Sequence, residues 1–386
     1  MKRSSISHKS NGSIVFVLAI IFSVFLLFIS FTHNKDIRSL AASAFASPRK
    51  TSGPQSIGRD EEEETITSVL DCDLYTGKWV FDNQSRPLYR EEECEFNARL
   101  MLERLRGKRL MFVGDSLNRN QWESMMCLVQ SVVPEGKKSM NRTGPLFVFR
   151  AEDYNATIEF YWAPFLVPSN ADNPMSHSVL DRIIMADSIS EHAKHWKDVD
   201  FLIFNTYMWW MRRLTMKVLR GSFDGGATEY DEIDRWAVYR RVLRTWATWV
   251  EGNVDPNLTR VFFNNMSPTH MRSTDWNNPD GIKCAFETTP IPSTTGHIDV
   301  GTDEDMVGTA ARVTRSMKVP VTFLNITTLS EYRKDAHTSL STAVQGQPLT
   351  PEQKSDPQTF ADCVHWCLPG VPDTWNELLY AHIISR

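Results

Sequence analysis

The chain has no basic excess. Its 386 residues carry a formal net charge of -5 at pH 7, a balance that argues against a nucleic-acid binder. It has no glycine-rich phosphate loop, and "SFDGGATE" at 222–229 reads as an ordinary loop. No internal repeat is present. No zinc spacing is present either, since "DCVHWC" near the end does not have one. Cysteines number only six, which still allows fifteen disulfide pairings. Tryptophan is the exception to this scarcity, with twelve. Tryptophans fill cores and also line sugar sites, so the number alone decides little.

One apolar run stands apart. Ile14 to Phe31, "IVFVLAIIFSVFLLFISF", carries no charge. A bilayer core of about 30 Å needs about 20 helical residues, with a lower limit near 17. Lys2, Arg3 and Lys9 precede the run, so the positive-inside bias keeps residues 1–13 cytosolic and translocates the rest. A cleaved signal peptide has a shorter apolar core and a small-residue site close behind it. Here "ASAFAS" begins only at Ala42. The run therefore reads as an uncleaved signal anchor at 14–31. Its shortness suits a thin internal membrane such as the Golgi better than the plasma membrane.

Residues 32–70 read as a stem that ends in the acidic spacer "DEEEE". Residues 71–386 read as one lumenal domain. Six sequons follow the anchor, at Asn83, Asn141, Asn155, Asn257, Asn265 and Asn325, and they fit such a domain. Asn265 is the weak one, because Pro268 follows it. An oxidising lumen favours disulfides. Cys363 and Cys367 are too close to bond readily to each other, and Cys284 is the best partner for one of them. Cys127 could take the other or pair with Cys94.

Short apolar runs alternate with amphipathic patterns. "LMFV" at 110–113, "FLIF" at 201–204, "VFF" at 261–263 and "VTFL" at 321–324 read as buried strands. Residues 230–250 carry Ile233, Trp236, Tyr239, Val242, Leu243 and Trp246 near a helical period. Residues 303–316 carry Met306, Ala310 and Val313, with Met317 just beyond. This alternation predicts an α/β fold with a mainly parallel sheet and right-handed crossovers. Ligands of such sheets bind beyond the carboxyl ends of the strands.

Gly114-Asp115-Ser116 stands at such an end, with a helix predicted over 117–133. Ser116 is either the N-cap of that helix or a nucleophile, and from the tripeptide alone capping is the commoner role. A nucleophile needs a base and a group that orients the base. "ADCVHWCLPGVPDTWNELL" supplies Asp362-x-x-His365 between two cysteines. A carboxylate there could bind one ring nitrogen and leave the other to take the serine proton. His270 in "MSPTH" is the rival base. Thr374 and Glu377 have capping-box spacing for the terminal helix. Trp209 and Trp210, at a strand end, are as often core as a stacking face for sugar.

"CDLYTGKWVFD", "GDSLNRNQWESM", "FNTYMWW", "NPDGIKC" and "DCVHWCLPGVPDTWNELL" together resemble the blocks of the plant trichome birefringence-like family, nearest its xylan O-acetyltransferase branch. The resemblance covers 71–386. It implies a type II Golgi enzyme with a three-layer fold similar to the GDSL/SGNH esterases. It implies acetyl transfer to xylan through an acetyl-serine. Ser116 would be the nucleophile, His365 the base and Asp362 its orienter. Asn205 would match the oxyanion asparagine, Gly114 and Asp115 the rest of the turn, and Arg119 a pocket organiser. One departure is large. A family segment with two further cysteines and a Trp-Arg-Trp-Gln-Pro stretch is missing after Cys94. Cys72 or Cys94 would then lack its usual partner, and part of the cleft wall would be absent.

Three functions follow as expectations. The first is a polysaccharide O-acetyltransferase that uses xylan and an acetyl donor of unknown identity, with no cofactor, no metal and no nucleic acid. The second is an acetyl esterase with the same triad. The third is a catalytically impaired glycan binder.

Overall fold

Five strands run parallel through the sheet, and those covered on both faces, such as 110–113 and 201–204, need no polar alternation. The computed structural model describes Tyr75, Trp79 and residues 96–385, apart from 178, 293–297, 299 and 345. The predicted anchor, the stem, Cys72, Asn83 and Cys94 lie outside the described residues. Among the described residues no helix is long and apolar enough to cross a membrane.

After helix α1 (Ala98–Arg104) come β1 (Arg109–Gly114), helix α2 (Ser116–Gln130), β2 (Lys138–Thr143), β3 (Leu146–Ala151) and β4 (Ala156–Trp162). Then follow β5 (Phe201–Phe204), β6 (Thr215–Leu219), β7 (Tyr230–Asp234), helix α3 (Arg235–Asn253), β8 (Arg260–Asn264), helix α4 (Glu304–Ser316) and β9 (Val321–Leu324). The chain closes with β10 (His337–Ser339), β11 (Asp362–Trp366) and helix α5 (Val371–Ile384). The main sheet has the order β9-β8-β5-β1-β4-β3-β2. β9, β8, β5, β1 and β4 are parallel, while β3 and β2 extend the edge antiparallel. The chain leaves β1 toward β4 on one side and returns to β5 on the other. The end of β1 is thus a switch point, where an open α/β sheet forms its crevice.

Strand side chains alternate between faces, and the register assigns the layers. Phe160, Phe112, Ile203 and Phe262 form one row. Trp122 of α2 packs on Phe160 and His382 of α5 on Phe262. The next row holds Val113, Phe204 and Phe263 and faces the other way, against Trp246 of α3. Helices on both faces give the expected three layers.

Two expectations change here. Residues 230–234 are not the start of a helix but strand β7, paired with β6. Asp234 ends that strand and caps α3, its side chain accepting from the Ala237 N–H at 3.0 Å. Ile233 fitted the helical period only because strand and helix meet there. Thr374 and Glu377 do not form a capping box, because α5 begins earlier, at Val371. Its start is held by Asp373, which accepts from the Gly370 N–H at 2.8 Å.

Candidate active site

The turn after β1 is tight because of what lies beside it. A Cβ on Gly114 would stand 2.5 Å from the carbonyl oxygen of Asn205, so no side chain fits. Asp115 follows as the N-cap, its carboxylate accepting from the Leu117 N–H at 3.0 Å. Ser116 is therefore the first helical residue and not the cap. Its N–H has no intrahelical carbonyl to bond, since Phe112 four residues back belongs to β1, and it lies at the positive end of the α2 dipole.

α2 is fastened to the carboxyl edge of the sheet by buried amides. The Asn118 side chain donates to the carbonyls of Val113 and Ile203 at 2.8 and 2.9 Å. Asn264, at the end of β8, donates to Asn118 Oδ1 and Gln121 Oε1 at 2.9 and 2.7 Å. One turn past Ser116, Asn120 accepts from the Trp366 N–H at 2.9 Å and donates to the Trp366 carbonyl at 3.3 Å. The helix that carries Ser116 thus grips the strand that carries His365. None of these amides was singled out from sequence. The available signal was "NRNQ", three amide residues within the first turns of a helix that must pack on a sheet.

β11 is held from behind as well. It pairs antiparallel with β10, His337 opposite Trp366 and Ser339 opposite Asp362. A disulfide joins Cys363 to Cys284, the outward pairing expected. Cys127 and Cys367 are free thiols, the first exposed, so they do not bond to each other.

These constraints bring three side chains into line. Ser116 Oγ is 2.7 Å from His365 Nε2, and His365 Nδ1 is 2.8 Å from Asp362 Oδ2. Asp362 Oδ1 accepts the N–H groups of Val364 and His365, both at 3.0 Å. Burial pushes the Asp362 carboxyl up, but the His365 hydrogen bond and charge and those two amides hold it well below the usual range. Burial likewise opposes charge on His365. The bond to Asp362 and the charges of Asp362, Asp115 and Glu123 outweigh it and leave the imidazole raised. With Nδ1–H donating to Asp362, the Nε2 lone pair faces the serine hydroxyl. The His365 side chain remains 39% exposed, so the cleft is open to reactants. Asp115, fully buried, is pushed up to about 6 by desolvation, against the Leu117 amide and the His365 charge.

The rival base has a different setting. His270 is fully buried, with Nδ1 2.7 Å from His337 Nε2 and Nε2 2.8 Å from the Glu331 carbonyl. His337 Nδ1 lies 3.1 Å from the His365 carbonyl. Burial brings His270 down to about 4 and His337 well below the ordinary value. Two neutral rings have two N–H groups for these three contacts, so one contact lacks its proton.

Of the other expected site residues, Asn205 stands at the end of β5 beside Gly114, buried, with its N–H on the Val113 carbonyl at 3.0 Å. Arg119 is half exposed, ion-paired to Glu123 at 2.9 Å and 5.4 Å over the Phe147 ring. Of the two readings left open for the tryptophans, the structure favours core. Trp210 is fully buried, its Nε1 donating to Thr206, and the Arg182 guanidinium stands 3.8 Å over the ring of Trp209. Neither offers a face to a sugar. The Asn265 sequon is buried too, whereas Asn141, Asn155 and Asn257 are exposed.

A mainly parallel α/β sheet with helices on both faces is the fold of the GDSL/SGNH-like acyl-esterases. Residues 94–382 match the family model of that class found in Pmr5 and Cas1p, and residues 70–102 match the PMR5 N-terminal domain. The chain belongs to this PC-Esterase family. It is 55% identical over 358 residues to xylan O-acetyltransferase 6 of Oryza sativa subsp. japonica, covering 83% of this chain and 64% of that protein. It is 52% identical over 352 residues to xylan O-acetyltransferase 2 of the same species, covering 82% and 70%. It is 46% identical to protein trichome birefringence-like 3 of Arabidopsis thaliana, covering 87% of each.

Proposed function

We propose that the chain is a xylan O-acetyltransferase that works through an acetyl-serine. The observation that carries this reading is the unbroken hydrogen-bonded line from Ser116 through His365 to Asp362. His365 takes the Ser116 proton as the hydroxyl attacks the acetyl carbonyl of the donor. The developing oxyanion meets the Ser116 N–H and Asn205, where one lost donor costs about a hundred- to a thousand-fold in rate. His365 returns its proton to the leaving group. A sugar hydroxyl then attacks acetyl-Ser116 with His365 again as base, and the serine is released. Transfer in place of hydrolysis requires the cleft to hold the sugar closer than water. The named relatives support xylan as acceptor.

The same reading includes a Golgi type II topology. Residues 1–13 are cytosolic, 14–31 anchor, 32–70 stem and 71–386 lumenal, with sugar chains on Asn141, Asn155 and Asn257. Protease treatment of sealed microsomes should spare everything after the anchor, and digestion without detergent would refute the topology. The activity test mixes purified protein, an acetyl donor and xylo-oligosaccharides. Acetyl mass gain on the sugar supports transfer. Free acetate alone makes the protein an esterase, and neither product makes it a binder.

A further inference from the structure

Beyond β5 lies positive charge that its surroundings do not neutralise. Arg182 Nη1 donates to the Trp209 carbonyl at 2.7 Å, and the guanidinium carbon stands 3.8 Å over the centre of that ring. Its Nε is buried without a hydrogen-bond partner. Among the described residues neither Arg182 nor Arg212 has a carboxylate in ion-pair range, while Arg213 and Lys217 share the single Asp181 at 3.5 and 3.4 Å. All four cations line one depression, with only Asp181 and Glu232 as acids. Burial and the charges of Arg212 and Arg213 bring Arg182 down to about 10, with Asp115 opposing. At neutral pH it still stays charged. A partly buried guanidinium without a counter-ion is destabilising, and an anion from outside relieves it.

The depression adjoins the reaction centre. The Trp209 ring packs edge-on against Trp162, the register partner of Gly114. The charge of Asp115, next to Ser116, reaches Arg182.

We propose that Arg182 and Arg212 form a subsite for an anionic oxygen group, a carboxylate or phosphate, carried by one of the two reactants. The source is either an acidic sugar on the acceptor or a phosphate-bearing acetyl donor. The forked guanidinium suits both anions. The assignment of the anion to a reactant rests on the acetyl-transfer reading.

The test uses the full chain as wild type, Arg182→Gln and Arg212→Gln. Arg212 is exposed, so its variant stays folded even if the half-buried Arg182 change does not. Calorimetric titration with free glucuronate and with inorganic phosphate needs no turnover. Wild type should bind one of them, and affinity should fall about tenfold in the variants, the size of one lost charge-assisted contact. Transfer is then compared for acidic against neutral xylo-oligosaccharides, and for phosphate-bearing against neutral acetyl donors. The matching preference ratio should fall about tenfold, and whichever ratio falls names the source. Absence of anion binding to wild type, or affinity and both ratios unmoved in Arg212→Gln, overturns the subsite. Charge-dependent binding without any acetyl transfer upholds the subsite and counts against the acetyl-transfer reading.

Discussion

His365 and His270 both attach to β11, and they have opposite chemistry. His365 faces a cleft with a carboxylate on one nitrogen and a hydroxyl on the other. His270 is sealed among backbone and another imidazole, while its own N–H bonds the Cys363 carbonyl at 3.1 Å. One ring is raised by acids and the other is lowered by burial. The side chain alone says nothing about role. What differs is whether a charge partner and an exit to solvent accompany it, which is how pKa values become matched to a task.

The sharpest way to break this contrast is to delete each partner in turn. Ser116→Ala and His365→Ala should lose about 10⁴- to 10⁶-fold in the acylation step, since members of such a unit fail together. Single-turnover acetylation followed by intact mass reads this directly. Asp362→Asn should lose about ten-thousand-fold if the serine-protease precedent transfers, because the amide fixes the wrong tautomer. His270→Ala should leave the chemical step within about tenfold. If His270→Ala stops acylation and His365→Ala does not, the two roles are reversed.

The same contrast explains what could be read from sequence. β5 and β8 were legible because strands buried on both faces are continuous apolar runs. β4 was not, because Glu159 interrupts it. That buried acid is matched by Arg109 at 2.8 Å on the neighbouring strand, a pairing invisible along the chain. β2, "KSMNRT", is an edge strand with mostly exposed side chains and has no apolar pattern to find. Asp362-x-x-His365 was legible because its spacing is local. Asn120 and His337 were not, since they act on β11 from far along the chain, at 246 and 28 residues' separation. The choice between core and stacking face for Trp209 stayed open for a related reason. A strand-end tryptophan reveals nothing about the arginine that will cover it.

The support behind β11 should show itself as stability rather than rate. Cys284→Ser removes a crosslink between residues 79 apart and should cost about 2–5 kcal/mol, seen as a lower denaturation midpoint. Non-reducing peptide mapping should recover Cys284 joined to Cys363, and a free thiol at Cys284 would contradict it. His270→Ala removes the buried contacts to the His337 ring and the Glu331 carbonyl and should cost about 1–3 kcal/mol. A variant as stable as wild type would mean that the buried pair does not brace the strand.

The smallest effect expected is a shift in the pH profile. Serine activation needs neutral His365, and its folded value is raised above the ordinary 6.5. Activity should therefore fall toward acid with a midpoint above 6.5. The stability contribution has the opposite sense. A raised histidine gives its full contribution below 6.5 and loses it as pH rises through the folded value. The charged His365–Asp362 pair is thus most stabilising where the enzyme is least active. Asp362, held low, contributes above the ordinary carboxylate value and loses its contribution as pH falls through its folded one. Asp115 offers a way to move the limb without touching the triad. It titrates at about 6 and helps hold His365 up. Asn caps a helix as well as Asp, so Asp115→Asn should keep α2 intact and shift the acid limb toward lower pH. A wild-type midpoint below 6.5, or a limb unmoved in Asp115→Asn, would separate His365 from the acids around it.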